Sequence, residues 1–148
     1  METWDRGMEE RVWQRVLGER REEPRGEDLR PWLQTAQELA AVYRRLHRDA
    51  SGRSRELLRR LLEGETANAA CLKGMLALGG GQPGKGTVFA PAGEPWGKAL
   101  EKCYHRTRRA MTEYTARSAG GEFGEVFRHM ADREREHCAM VMELLGDR

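Results

Sequence analysis

Glu65, Glu134 and His137 interrupt helical stripes that are otherwise apolar. One stripe reads Phe123, Phe127, Met130, Glu134, His137, Val141, Leu144, spaced by threes and fours, so all of these fall on one helix face. An earlier stripe reads Leu58, Leu61, Glu65, Asn68, Leu72, Met75 in the same rhythm. Carboxylates and an imidazole inside such faces are costly to bury unless something pairs with them. Two chemistries meet that demand. The three side chains can hold one metal ion, with water or Cys103 as a further ligand; this donor set suits iron, manganese or zinc without discriminating among them. Alternatively, no metal is bound, and Glu65 and Asn68 hydrogen-bond to His137 and Glu134 across a bundle.

Positioning these residues requires long helices, and the chain supplies them. Leu29, Trp32, Ala36, Leu39, Tyr43 and Leu46 share one face of a first helix that stops near Ser51-Gly52. Pro31 suits its opening turn. A second helix is expected from about Ser54 to Leu78, and a breaker-rich connection from Gly79 to Gly93 follows. Glu94-Pro95 opens a third helix with Trp96, Leu100, Cys103, Thr107, Ala110 and Tyr114 on its face. Gly120-Gly121 ends it, and a fourth runs from about Glu122 to Leu145. A short, a long and a short connection suit a four-helix bundle with one crossover. The second helix, at 1.5 Å per residue, is about 37 Å long, a distance the extended connection can retrace. Only Thr87-Val88-Phe89 reads as a short extended piece. The halves repeat each other: Glu65-Thr-Ala-Asn68 aligns with Glu134-Arg-Glu-His137, and Leu72 with Val141.

The whole chain narrows the function classes. Its 148 residues can bury one core without disulfides. With 26 Lys and Arg against 24 Asp and Glu, interspersed along the helices, no polyanionic partner is implied. No apolar run reaches the roughly 20 residues that span a bilayer, and the N-terminus lacks a signal-peptide pattern. Three cysteines without a CxxC motif fit a reducing compartment. The expectation is a cytoplasmic helical protein that engages neither membrane nor nucleic acid.

With Glu134-x-x-His137 inside Ala131-Asp-Arg-Glu-Arg-Glu-His-Cys138, residues 29 to 146 resemble the ferritin-like superfamily, and within it the rubrerythrin-like proteins. The resemblance implies an all-α, ferritin-like four-helix bundle over 29–148. It also implies a di-iron site built from a Glu on helices 1 and 3 and a Glu-x-x-His on helices 2 and 4. In rubrerythrins the lone Glu precedes a Tyr by seven residues. Counting back from Tyr43 and Tyr114 gives Ala36 and Thr107, and Asn68 stands where the helix 2 His belongs. Glu38, Glu101 and Glu113 fall off the seam. Glu65, Glu134 and His137 are therefore the retained ligands, an incomplete set for two irons. The implied function is a rubrerythrin-like protein that is non-catalytic or holds a single iron, manganese or zinc ion. A helical interaction or assembly protein without metal is the competing class, and an active di-iron oxidase or peroxidase follows behind. Tyr43 and Tyr114 look like buried aromatics whose hydroxyls need partners.

The remaining signals are weaker. Gly79 to Thr87 nearly matches a phosphate-binding loop, but Gly86 follows Lys85 where the hydroxyl belongs, and no strand precedes it. Arg106, Arg108 and Arg109 form a basic cluster on the third helix. Residues 1–28 read as a short amphipathic helix carrying Val12, Trp13, Val16 and Leu17, then a charged linker. That helix is expected to dock on the bundle, to make a homodimer, or to hold a protein partner.

Overall fold

The computed structural model describes residues 28–79 and 93–146 together with Arg11. Four helices are defined among the described residues: α1 Arg30–Asp49, α2 Gly52–Leu78, α3 Trp96–Arg117 and α4 Gly124–Gly146. The fold is an all-α four-helix bundle, with no strand among the described residues. The N-terminal helix and linker, apart from Arg11 and Asp28, lie outside the described residues, as do the near-match to a phosphate-binding loop beyond Gly79 and the segment Thr87-Val88-Phe89.

Local chemistry sets the helix ends. Asp28 accepts the Arg30 backbone N–H at 3.0 Å, and Pro31 occupies the first turn of α1, where a missing N–H costs nothing. Only Ala50 and Ser51 separate α1 from α2. Gly52 completes that reversal at φ +59°, a conformation glycine adopts without strain, so α2 begins two residues before Ser54. Between α3 and α4 the chain turns through Gly121 at φ +85°. Phe123 is buried in that turn and precedes α4, whereas the spacing places it inside the helix; a bulky side chain can fill the same end of the core from a turn.

Cross-helix pairs fix the directions. Arg53 meets Glu143, Glu65 meets His137, and Asn68 meets Glu134, so residue numbers rise along α2 as they fall along α4. Glu38 with Arg106 and Trp32 with Tyr114 give α1 and α3 the same antiparallel relation. With α1/α2 and α3/α4 packed as hairpins, α2 and α3 lie on a diagonal and run the same way. The C-terminus of α2 and the N-terminus of α3 therefore lie at opposite ends of the bundle.

The core has three layers along this axis. One end holds Leu33, Leu72, Met75, Tyr114, Phe127 and Met130. The other holds Leu39, Leu46, Leu58, Leu61, Leu100 and Leu144. Between them lies a belt of buried polar side chains: Glu65, Asn68, Thr107, Glu134 and His137. No helix among the described residues is long and apolar enough to cross a membrane.

Candidate metal centre

Glu65 and Asn68 reach the belt from α2, one helical turn apart, and Glu134 and His137 reach it from α4. All four are at most 2% exposed. His137 Nδ1 lies 2.7 Å from Glu65 Oε2 and 3.8 Å from Glu134 Oε1. Asn68 donates to Glu134 Oε1 at 2.6 Å, and Arg133 donates to Asn68 Oδ1 at 2.6 Å. The cross-bundle pairing expected in the absence of metal is thus formed, between the partners anticipated. Potential ligand atoms of Glu65, Glu134 and His137 all lie within 4.8 Å of one another.

Two residues that the stripes did not single out complete the geometry. Gly64 sits in the interior of α2, where glycine costs about 1 kcal/mol relative to alanine. A Cβ there would stand 2.1 Å from His137 Nε2 and 2.4 Å from Cε1. The imidazole therefore lies edge-on against the α2 backbone, with Nε2 toward Gly64 and Nδ1 toward the carboxyls. Arg133 precedes Glu134 off the seam, yet its side chain also passes this glycine, with Cδ 3.4 Å from the same Cβ position.

Burial controls the protonation states. It pushes the Glu65 carboxyl up to about 7, partly opposed by the Glu134 carboxyl beside it and by Arg133 and Arg106. Burial, followed by the charge of Glu65, raises Glu134 well above the ordinary carboxyl range. His137 is lowered, again by burial first, with the Glu134 charge opposing. Near neutral pH the belt without a metal thus has a neutral imidazole and a protonated Glu134. A neutral His137 carrying its proton on Nδ1 donates it to Glu65, which accounts for the 2.7 Å contact.

Ala36 and Thr107 are buried at 1% and 0%, on the two helices that contribute no carboxylate. Glu38 instead pairs with Arg106 at 3.0 Å, Glu113 pairs with Arg117 at 2.9 Å, and Glu101 is exposed. None of them belongs to the buried group. Cys103 is buried, and its thiol is pushed up to about 12 by that burial, but it is not brought into the metal-competent cluster. Its place as a further ligand is therefore corrected: it faces Tyr43 and the apolar end of the core. Cys138 is half-buried beside the seam. Tyr43 is fully buried with its hydroxyl beside Thr107, and neither group makes a hydrogen bond of good geometry. Glu134 Oε2 likewise makes no hydrogen bond of good geometry, with the Glu65 carboxyl beside it.

The separations suit a single ion. Donors about 2.1 Å from one metal stand about 3.0 Å apart in octahedral cis positions and about 3.4 Å apart in a tetrahedron. The 2.7 Å between His137 Nδ1 and Glu65 Oε2 is close to the octahedral value, and the candidate ligand atoms of the three residues all lie within 4.8 Å of one another. No family model, curated protein or solved structure matches this chain.

Proposed function

We propose that this chain is a ferritin-like, rubrerythrin-like bundle whose incomplete di-iron site holds one divalent transition metal ion through Glu65, Glu134 and His137. The observation that carries the reading is the convergence of two fully buried carboxyls and an imidazole, whose candidate ligand atoms all lie within 4.8 Å of one another. Asn68 occupies Oε1 and leaves Oε2 as the ligating atom. A divalent ion would displace the protons that burial now holds on the cluster and leave it neutral overall. The donor set fits iron, manganese or zinc. Two-metal oxygen or peroxide chemistry is not proposed, because Ala36 and Thr107 supply no carboxylates for a second ion.

A second reading has its own observation. The Glu65–His137 and Asn68–Glu134 bonds, with Arg133 behind Asn68, already join four of the buried groups without any metal. Under that reading the belt is structural, and the protein acts by assembling with itself or another chain.

Elemental analysis of protein purified without chelator or immobilised nickel separates the two. Stoichiometric iron, manganese or zinc, absent from His137→Ala, is expected. Thermal melts extend the test: a ligand specific to the folded state adds RT ln(1 + [L]/Kd), so chelator should lower the wild-type melting temperature by about 5 °C or more and leave His137→Ala unmoved. Protein that is metal-free and indifferent to every added ion establishes the second reading.

A further inference from the structure

The belt leaves unused the most basic element of the bundle. α3 carries six Lys or Arg against two Glu, whereas α4 carries three Arg against five acidic residues. Between α3 and the start of α1 lies a cavity of about 260 Å³ lined by Pro31, Trp32, Thr35, Arg106 and Arg109. It adjoins a shallow depression of about 530 Å³, also walled by Trp32 and Arg109 and continued by His105 and Arg108. From this groove we infer a binding site for a small phosphate monoester that carries a planar ring.

The groove presents donors and few acceptors. The Thr35 hydroxyl donates to Pro31 O, and the Thr112 hydroxyl to Arg108 O, so both are committed to their own helices. Glu113, which lines the second depression, is committed to Arg117, and the neighbouring Glu38 to Arg106. Arg106 is thereby fixed in place, and Arg109 pairs with no carboxylate among the described residues. Arg108 lies over the Tyr104 ring at 5.9 Å, a contact that leaves its N–H groups available. Guanidinium groups around one groove favour a doubly charged phosphate, which accepts several hydrogen bonds at once, over a single carboxylate.

Trp32 supplies the second half of the recognition. It is half-buried, and its ring meets the buried Tyr114 ring edge-on at 6.1 Å and 67°. An indole held this way is a rigid wall for a planar ring. The two cavities share Trp32 and Arg109, so ring and phosphate contacts fall within one small molecule.

Calorimetry on the full chain with adenosine 5′-monophosphate as probe tests the assignment. Adenosine and inorganic phosphate should each bind at least about 10-fold more weakly, because each keeps one half of the recognition. Arg109→Gln and Trp32→Leu should each weaken the nucleotide by about 10-fold, and Trp32→Phe should restore most of the loss of the latter. Arg109 is exposed, so its variant keeps the test valid if Trp32→Leu fails to fold. Arg48→Gln, exposed near the other end of α1, should leave binding unchanged. Absence of nucleotide binding at about millimolar concentration, or equal binding of nucleotide and phosphate, would overturn the proposal. So would an oligothymidylate of about twelve residues binding at least about 10-fold more tightly, since that marks a single-stranded nucleic-acid surface instead.

Discussion

Replacing Gly64 by alanine should destabilise the bundle, against the usual sign for such a change. In the interior of a helix the substitution ordinarily stabilises by about 1 kcal/mol. Here the new methyl carbon would stand 2.1 Å from His137 Nε2, well inside van der Waals contact. The ring cannot retreat freely, because its other nitrogen is held 2.7 Å from Glu65 and the residue is 2% exposed. Forcing atoms into a packed core costs about 1–3 kcal/mol. Stripping the buried Glu65 carboxyl of its partner costs about 1–3 kcal/mol more. Against the helix-propensity gain, the net is a loss of about 3 kcal/mol, or about 10 °C in melting temperature for a domain of this size. Urea unfolding in the presence of chelator measures it without interference from metal. Gly97→Ala is the control: nothing lies within 4 Å of a Cβ there, so it should be neutral or slightly stabilising. The decisive measurement is the double mutant. Once His137→Ala has removed the ring, Gly64→Ala should become stabilising by about 1 kcal/mol, a reversal of sign in one mutant cycle. A Gly64→Ala protein as stable as the wild type would refute the edge-on placement of His137.

Other outcomes follow from the same belt. Without metal, Glu65 and Glu134 titrate above their ordinary 4.5, so the native state holds protons that the unfolded state has released, and stability falls as pH rises through their folded values. His137, lowered from 6.5, contributes the opposite slope only below that pH. Between pH 6.5 and 8 urea unfolding in chelator should therefore show a net loss of about 1 kcal/mol per pH unit, and saturating zinc should largely abolish the slope, since binding releases those protons and leaves the native carboxyls ionised as in the unfolded chain; equal slopes with and without zinc would contradict the ligand assignment. Arg133→Met leaves the Asn68 carbonyl without its donor and should cost about 1 kcal/mol in a denaturant titration, with metal stoichiometry unchanged. The triple variant Ala36→Glu, Asn68→His, Thr107→Glu should load two irons per chain in air and show oxo-bridged absorption bands; a folded variant that binds no iron would refute the mapping of these positions.

The spacing by threes and fours was enough to define the four helices and to bring Glu65, Asn68, Glu134 and His137 to one depth, because burial in a bundle follows the helical period directly. Ala36 and Thr107 were legible for the same reason, as inward positions without a ligand. Arg133 was not. Its backbone lies off the seam, and nothing in the period tells where a long flexible side chain will lay its guanidinium. Gly64 did carry a signal, a glycine inside a helix next to a buried Glu, but only the ring of His137 explains why a Cβ is excluded. Cys103 misled because it shares the inward face yet sits in the neighbouring apolar layer, a difference of depth that periodicity does not encode.

The polar belt between two apolar layers also restricts how the helices can slide. Leucine faces pack acceptably after a shift of one turn, about 5.4 Å, because one greasy knob resembles the next. Such a shift of α4 along α2 would carry Glu134 from Asn68 toward Leu72 in one direction, or toward Glu65 in the other with His137 brought against Leu61, and would part His137 from Glu65 in either case. Each group stranded this way costs about 1–3 kcal/mol, so a misaligned bundle is penalised several times over while the native alignment escapes every penalty. An all-leucine belt would be free of these buried polar costs and would tolerate neighbouring alignments as well. The five polar side chains therefore act as the notches of a key, and they give this short bundle a single alignment whether or not an ion ever occupies it.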